Sequence, residues 1–384
     1  MSSEKPEGAL RRLADAGLTM TTVTPKPLLF RPEFEQIAED EQETTQGLIE
    51  ALHSILETTN AHYRHPVRSV HAKAHAFMHG QLQVFDGLPE PLAQGLFSQP
   101  GTYPVVMRLS TNPGDLLDDR VSTPRGLALK VIGVPGERLP GSEGEVTQDF
   151  VMQNAPAFTA ADPKAFLKTL KLLAKTTDRM PLTKRVLSAG LRGAEAVVEA
   201  VGGESGTLKS LGGHPLTHPL GETFYTSVPL LYGGYYAKLS VAPVSPGLTA
   251  LTDQKIELDG DENGLRRVID EVLSQQGGEW EVRIQLATDL AQMPVEDASV
   301  VWPEDVSPYV AVARIQVPAQ PGYTDEGVRK VDQDMAFSPW QGLAAHRPIG
   351  GVMRVRKAAY EHSADFRRQH SGCPIHEPKG PVAF

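Results

Sequence analysis

The feature that most constrains this chain is the spacing of its short β-branched segments. VRSVHAKAHAFMHGQLQVF (67–85), YPVVMRLST (103–111) and RGLALKVIGV (125–134) are bounded by Gly, Pro and Asp turns and read as strands. Similar segments recur in FYTSVPLLYGGYYAKLSVAPV (224–244), WEVRIQLATDL (280–290) and YVAVARIQVP (309–318), well beyond hairpin distance from the first group. A sheet assembled from such distant pieces must dispose of its edges, and closure into an antiparallel barrel with long excursions does so. The expected fold class is therefore α+β: a closed antiparallel β-barrel with surrounding helices.

The excursions carry the helices. Residues 1–30 are polar and proline-punctuated, which predicts an extended arm, of the kind that wraps a neighbouring subunit in a homo-oligomer. From Pro32 to about Arg64, Leu48, Leu52, Ile55 and Leu56 fall at helical spacing among acids and glutamines, so an amphipathic helix is expected. Residues 163–200 read as two helices broken near Pro181, and a last helix runs from near Pro348 to about His370. These elements divide the chain into an arm and helix over 1–65, a core domain over 66–370 and a tail over 371–384.

Composition limits what such a barrel can do. With 37 basic and 47 acidic residues the chain carries a net charge of −10, which disfavours nucleic acid and favours a small-molecule partner. The polar start MSSEKPEG and the lack of a long apolar run predict a cytoplasmic protein. Cys373 is the one cysteine, so neither a disulfide framework nor a cysteine metal cluster is available. A metal would have to come with other side chains or with a cofactor.

Three groups of residues carry chemistry. In the last helix Arg356, Tyr360, Ser363 and Arg367 stand at offsets of four, seven and eleven and share one face. Tyrosine binds iron only as the phenolate, and a guanidinium one turn away favours that anion over the phenol of pKa roughly 10. The same pattern also describes an ordinary amphipathic helix with a solvated basic face. The second group is Arg68 and His71, with Arg108 and Ser110 sharing a strand face and Arg125 on the next strand. It suits a site where an imidazole moves a proton and guanidiniums hold carboxylates, or a structural strand histidine. The third is QDFVMQNAPAF (148–158), with Asp162, Pro163 and Phe166 beyond it: amides beside aromatics that can orient a small polar ligand.

Taken in order, VHAK (70–73), RLST (108–111), PRGLALK (124–130), the Asn-x-Pro-x-Phe segment, VWP (301–303) and the closing R-x-x-x-Y-x-x-S-x-x-x-R resemble the haem catalases over about 66–370. Ser363 stands where that family usually has Thr. FSPWQGLAAHRPIGG and the short stretch after the last helix resemble the short catalase-related branch, without a C-terminal flavodoxin-like domain. The resemblance implies haem b, with Tyr360 as axial ligand of its iron supported by Arg356, and His71 as distal acid–base group. It further implies Ser110 orienting the His71 ring, Asn154 as distal amide with Gln153 the gapless alternative, and Arg68, Arg108, Phe158, Ser363 and Arg367 as cofactor contacts. The activity implied is a peroxidase cleaving organic hydroperoxides or H2O2 through a ferryl state. Catalase turnover, fatty-acid hydroperoxide isomerisation (allene oxide synthase activity) and non-enzymatic haem carriage are the alternatives. Val70, before the histidine, is the catalase residue where the allene-oxide branch has Thr.

Other clusters compete with this assignment. His71, His75 and His79 are spaced by four, as zinc ligands on a helix would be, but the region reads as strand. Cys373-Pro374 offers a thiolate ligand of another haem class or a free thiol in a tail. Glu222, Glu296 and Asp297 read as turn and surface residues. Lys164, Lys168, Lys171, Lys175, Arg179, Lys184, Arg185 and Arg192 concentrate positive charge in an acidic protein, either a solvated face or an attraction for anionic lipid or a fatty-acid carboxylate.

Overall fold

The computed structural model describes residues 26–176, 214–258, 260–371 and 375–384. Nine strands form one sheet: β1 (Lys73–Val84), β2 (Gly101–Thr111), β3 (Arg125–Ile132), β4 (Thr147–Gln153), β5 (Phe224–Tyr225), β6 (Leu230–Tyr232), β7 (Tyr235–Pro243), β8 (Gly278–Leu286) and β9 (Val310–Val317). Their order is β5-β4-β3-β2-β1-β9-β8-β7-β6, and β5 also pairs with β7. That pairing closes an eight-stranded antiparallel ring, with β6 attached to β7 as a hairpin. The expected closed barrel is thus the observed one.

Strand alternation sorts the side chains into two sets. Val105, Met107 and Leu109 of β2, Leu127, Leu129 and Val131 of β3, Leu239 and Val241 of β7, Val282 and Ile284 of β8 and Ala313 and Ile315 of β9 join one buried cluster. A cluster drawing on strands all round the ring fills its interior. Arg108, Ser110, Ala128, Lys130, Asp149, Val151 and Gln153 fall on the opposite, outer face of β2, β3 and β4.

Three helices, α1 (Glu41–Tyr63), α2 (Pro163–Thr176) and α4 (Gly351–Ser371), pack together on that outer side, whereas α3 (Gly264–Gln276) adds Val268, Ile269 and Leu273 to the interior cluster. In α1, Leu48, Ala51, Leu52 and Ile55 recur at helical spacing and pack with Leu170 of α2 and Val355 and Ala359 of α4. Glu41 and Glu43 lie in its first turn, where the helix dipole favours negative charge, and Arg64 ends it in a left-handed conformation. At the start of α2 the Asp162 carboxylate accepts from the Ala165 amide at 2.9 Å.

Three boundaries differ from the sequence expectation. The first helix begins at Glu41 rather than Pro32, because Pro32–Phe34 forms only a short 3-10 turn whose Phe34 ring packs on Tyr236. The described end of the arm is not a free extended segment: Leu28 N donates to Ala287 O at 2.8 Å and Phe30 N to Gly234 O at 2.9 Å, anchoring it on the barrel. β1 begins at Lys73, so His71 precedes the strand. Residues 1–25, the expected break at Pro181 with its second helix, and Cys373 with Pro374 lie outside the described residues. Among the described residues no helix is long and apolar enough to cross a membrane.

Candidate active site

Between the outer face of β2–β4 and the helices α1 and α4 lies a cavity of about 430 Å³. Arg68, Val70, His71, Arg108, Ser110, Gln153, Phe158, Phe166, Arg356, Tyr360, Ser363 and Arg367 all line it. Segments some 290 residues apart in the chain thus converge on one space, with polar groups placed among apolar walls as in ligand pockets generally.

His71 occupies a turn with φ of 50°, a left-handed conformation that costs a non-glycine residue of the order of 1–3 kcal/mol and persists only where its surroundings hold it. The hold is visible. Arg108 Nη2 donates to the carbonyls of His71 (3.0 Å) and Ala72 (3.2 Å), and Ala72 N donates to Pro113 O at 3.0 Å. The ring lies against the backbone of Gly126, where an added β-carbon would stand 2.6 Å from both Cε1 and Nδ1. Burial, reinforced by the charges of Arg108 and Arg356, lowers the His71 pKa to about 3, so the imidazole is neutral at physiological pH. Its Nδ1 is buried with no hydrogen-bond partner among the described residues.

Two expectations change here. Ser110 Oγ donates to the cross-strand carbonyl of Gly126 at 3.4 Å, and the His71 Nδ1 has no hydrogen bond to it. Asn154 does not line the cavity; Gln153 does. β4 runs through Gln153, so Gln153 shares a face with Val151 while Asn154 turns away. Asn154 Nδ2 donates to Glu222 Oε2 at 2.7 Å and contacts His214 Nε2 at 2.9 Å, and its Oδ1 accepts from Arg125 N at 3.0 Å. Arg125 in turn pairs with Glu222. Asn154 and Arg125 therefore belong to a buried network behind the cavity wall, and Glu222 is part of that network rather than a surface residue.

On α4, Arg356 Nη2 donates to Tyr360 Oη at 2.8 Å, the one-turn pair read from the sequence. The Arg356 guanidinium also lies 5.6 Å from the Phe158 ring centre, and Phe158 meets Phe166 edge to face. Ser363 Oγ accepts from Ser69 N at 3.3 Å, tying α4 to the segment that carries His71.

Arg68, Arg108 and Arg367 gather at one edge of the cavity around a residue the sequence did not single out, Asp332. Its Oδ1 accepts from Arg108 Nε at 2.9 Å and Arg68 Nε at 3.3 Å, and its carbonyl accepts from Arg367 Nη1 at 2.9 Å. Burial pushes the Asp332 pKa up, but the charges of Arg108, Arg68 and Arg367 prevail and hold it below the usual carboxylate range. Burial likewise brings Arg367 down to about 10. Three guanidiniums around one carboxylate leave two positive charges uncompensated, which matches a ligand bearing two carboxylates. Together with the guanidinium-supported phenol oxygen of Tyr360 and the partnerless Nδ1 of His71, this donor set fits a haem with its two propionates.

The competing clusters resolve differently. His75 is buried with Nε2 2.9 Å from Thr111 Oγ1, and no group of three potential metal-ligating side chains occurs among the described residues. Glu296 is not a simple surface residue, since it pairs with Arg354, whereas Asp297 accepts from Ser299 in an exposed turn. Lys164, Lys168, Lys171 and Lys175 are exposed on α2, and Lys164 pairs with Asp40; the other basic residues of that run lie outside the described set. Trp340, in the segment over the cavity, donates its indole N–H to Met353 O at 3.0 Å.

Barrel, left-handed histidine turn and arginine-supported tyrosine helix together define a protein of the catalase fold. A family model described as Catalase matches residues 35–186. The structure resembles a fungal catalase (19% identity, TM-score 0.60, 84% of this chain and 64% of that one) and catalase A from Saccharomyces cerevisiae (21%, 0.59, 84% and 67%). The chain thus spans about two thirds of the length of these catalases. The fold is that of the catalases, and the match to the Catalase family model covers the part of the chain from α1 through α2. No curated protein matches it in sequence.

Proposed function

We propose that this chain is a haem-dependent peroxidase that cleaves organic hydroperoxides or H2O2, with haem b bound in the cavity between His71 and Tyr360. The observation that carries the reading is a neutral, buried imidazole sharing one cavity with a tyrosine whose phenol oxygen accepts a guanidinium hydrogen bond. Haem, when bound, supplies the redox chemistry and the peroxide-binding iron.

The chain's own residues do the rest. Tyr360 would hold the haem iron through its phenol oxygen, to which Arg356 Nη2 donates at 2.8 Å. The Arg68, Arg108 and Arg367 group would hold the propionates. His71, neutral and therefore able to accept, takes the peroxide proton and returns it to the departing oxygen. Gln153 turns its amide into the same space, with its Nε2 fixed by Ala157 O at 3.1 Å. Phe158, Phe166 and Val70 limit water around the reacting atoms.

Catalase disproportionation of H2O2 is the second reading, favoured by the apolar Val70 side chain, which packs with the α1 cluster and offers no hydroxyl beside His71. An absorption spectrum of the purified protein, followed by product analysis with H2O2, cumene hydroperoxide and a fatty-acid hydroperoxide, tests both. Oxygen release from H2O2 selects catalase, and oxidation of an added donor selects peroxidase. A protein without haem, or with haem but without peroxide cleavage, overturns the proposal.

A further inference from the structure

Asp332 lies in a stretch of unusual local structure. Val328–Gln333 is a π-helical turn, closed by Asp334 N donating to Arg329 O at 3.0 Å. Widening the helix there releases carbonyls from the ordinary ladder, and π-turns recur at functional sites. The released carbonyls face the arginines. Arg68 Nη2 donates to Val331 O (3.2 Å), Asp332 O (3.1 Å) and Met335 O (2.9 Å), and Arg367 Nη1 and Nη2 donate to Asp332 O (2.9 Å) and Met335 O (3.3 Å). Arg68 and Arg367 are thus oriented mostly by backbone.

Arg108 is different. Its only bonds to this segment run through the Asp332 carboxylate, which takes Nε at 2.9 Å, while Nη2 reaches the carbonyls of His71 and Ala72. A guanidinium is planar, so fixing its Nε edge fixes the direction of its other N–H groups. Both ends of Arg108 are then defined: one by Asp332, the other by the turn in which His71 adopts its left-handed conformation. A histidine in that conformation relaxes toward an extended one unless something holds its carbonyl.

We infer that Asp332 is the positioning residue of this site: by anchoring Arg108 Nε it aims Arg108 Nη2 at the His71 and Ala72 carbonyls and so holds the His71 imidazole in its working place. The inference deepens the haem-peroxide reading and rests on it for its catalytic consequence. Asp332 does not line the cavity and acts through Arg108. Removing its charge leaves three guanidiniums for two propionates, so haem retention does not depend on it.

Asp332→Asn keeps the shape and one acceptor but removes the charge that fixes Arg108. In the haem-free protein, the Ala72 amide should exchange hydrogen about tenfold or more faster than in wild type, while β2 and α4 keep their protection. In the haem-loaded protein, kcat for peroxide cleavage should fall about tenfold to a hundredfold, with KM changed less than about twofold and haem affinity equal to wild type or tighter. Asp332→Glu, which restores the charge, should recover part of the loss. Unchanged Ala72 exchange and kcat in Asp332→Asn overturn the inference, and so does a parallel loss of haem affinity and kcat, which marks a merely structural role. A wild-type protein that binds no haem or cleaves no peroxide overturns the proposed function instead, while faster Ala72 exchange in the variant still supports the anchoring of the turn.

Discussion

Gly126 lies directly against the imidazole of His71: a β-carbon on Gly126 would meet Cε1 and Nδ1 of the ring at 2.6 Å. Real β-carbons do not approach that closely, so any side chain at 126 must push the ring or the β3 backbone aside. His71 is the part able to give, because its turn precedes β1 while Gly126 is locked in the β2–β3–β4 ladder. Gly126→Ala should therefore lower peroxide cleavage about tenfold or more and cost about 1–3 kcal/mol of stability. Stopped-flow mixing with H2O2 and a denaturant titration check the two numbers.

Gln153 and Asn154 are neighbours with opposite duties, and substituting each separates them. Gln153→Ala should reduce turnover with little change in stability, since its side chain faces the cavity. Asn154→Ala should instead destabilise the fold by about 1–3 kcal/mol, because it leaves Glu222 and the Arg125 amide short of a partner. Steady-state kinetics paired with thermal melts check this, and the two effects exchanged would place Asn154 rather than Gln153 in the cavity.

Arg356→Leu removes the donor 2.8 Å from Tyr360 Oη. The Tyr360 oxygen then loses its guanidinium donor, and haem in the proposed site should show a shifted Soret band and weaker retention. Wild-type absorbance and haem content in this variant would separate Arg356 from the ligation.

The pH behaviour follows from the pKa of His71, lowered to about 3 against an ordinary value of 6.5. Between these values the unfolded chain binds a proton at this position and the folded chain does not, so the folded state loses stability as pH falls. His71→Ala should therefore gain Tm relative to wild type on going from pH 7 to pH 4. The same shift keeps the imidazole unprotonated, so kcat/KM in wild type should show no acid limb from His71 above about pH 4.

The tail packs back on β3 and β4 of the barrel. Glu377 Oε2 accepts from Lys130 Nζ at 2.6 Å and Thr147 Oγ1 at 2.9 Å, and Lys130 also pairs with Asp149 at 2.7 Å. Burial raises the Asp149 pKa despite Lys130, and Glu377 adds to that upward push. Lys130 keeps Asp149 when Glu377 is lost, so Glu377→Gln should cost less than the roughly 3–5 kcal/mol of a broken buried pair. Chemical denaturation measures it.

Where local periodicity governs, the sequence was readable. Alternation along RLST puts Arg108 and Ser110 on one face, and the one-turn offset puts Arg356 beneath Tyr360; both arrangements are found. The same alternation carried back from Gln153 through Val151 would have turned Asn154 away from the cavity. The left-handed turn at His71 had no local signal, since nothing in Ser69-Val70-His71 requires a positive φ. Asp332 was equally silent: 224 residues separate it from Arg108, and only the fold makes them partners.

The sequence by itself thus determined the strands other than β4, the apolar faces of the helices and the residue types able to form the proposed haem-peroxide site, because those depend on periodicities of two and 3.6 residues and on intrinsic chemistry. Tertiary structure alone decided which amide turns into the cavity, how the His71 turn is held and which carboxylate anchors the arginines. Each of these depends on groups that become neighbours only when the barrel closes and α4 packs across its outer face.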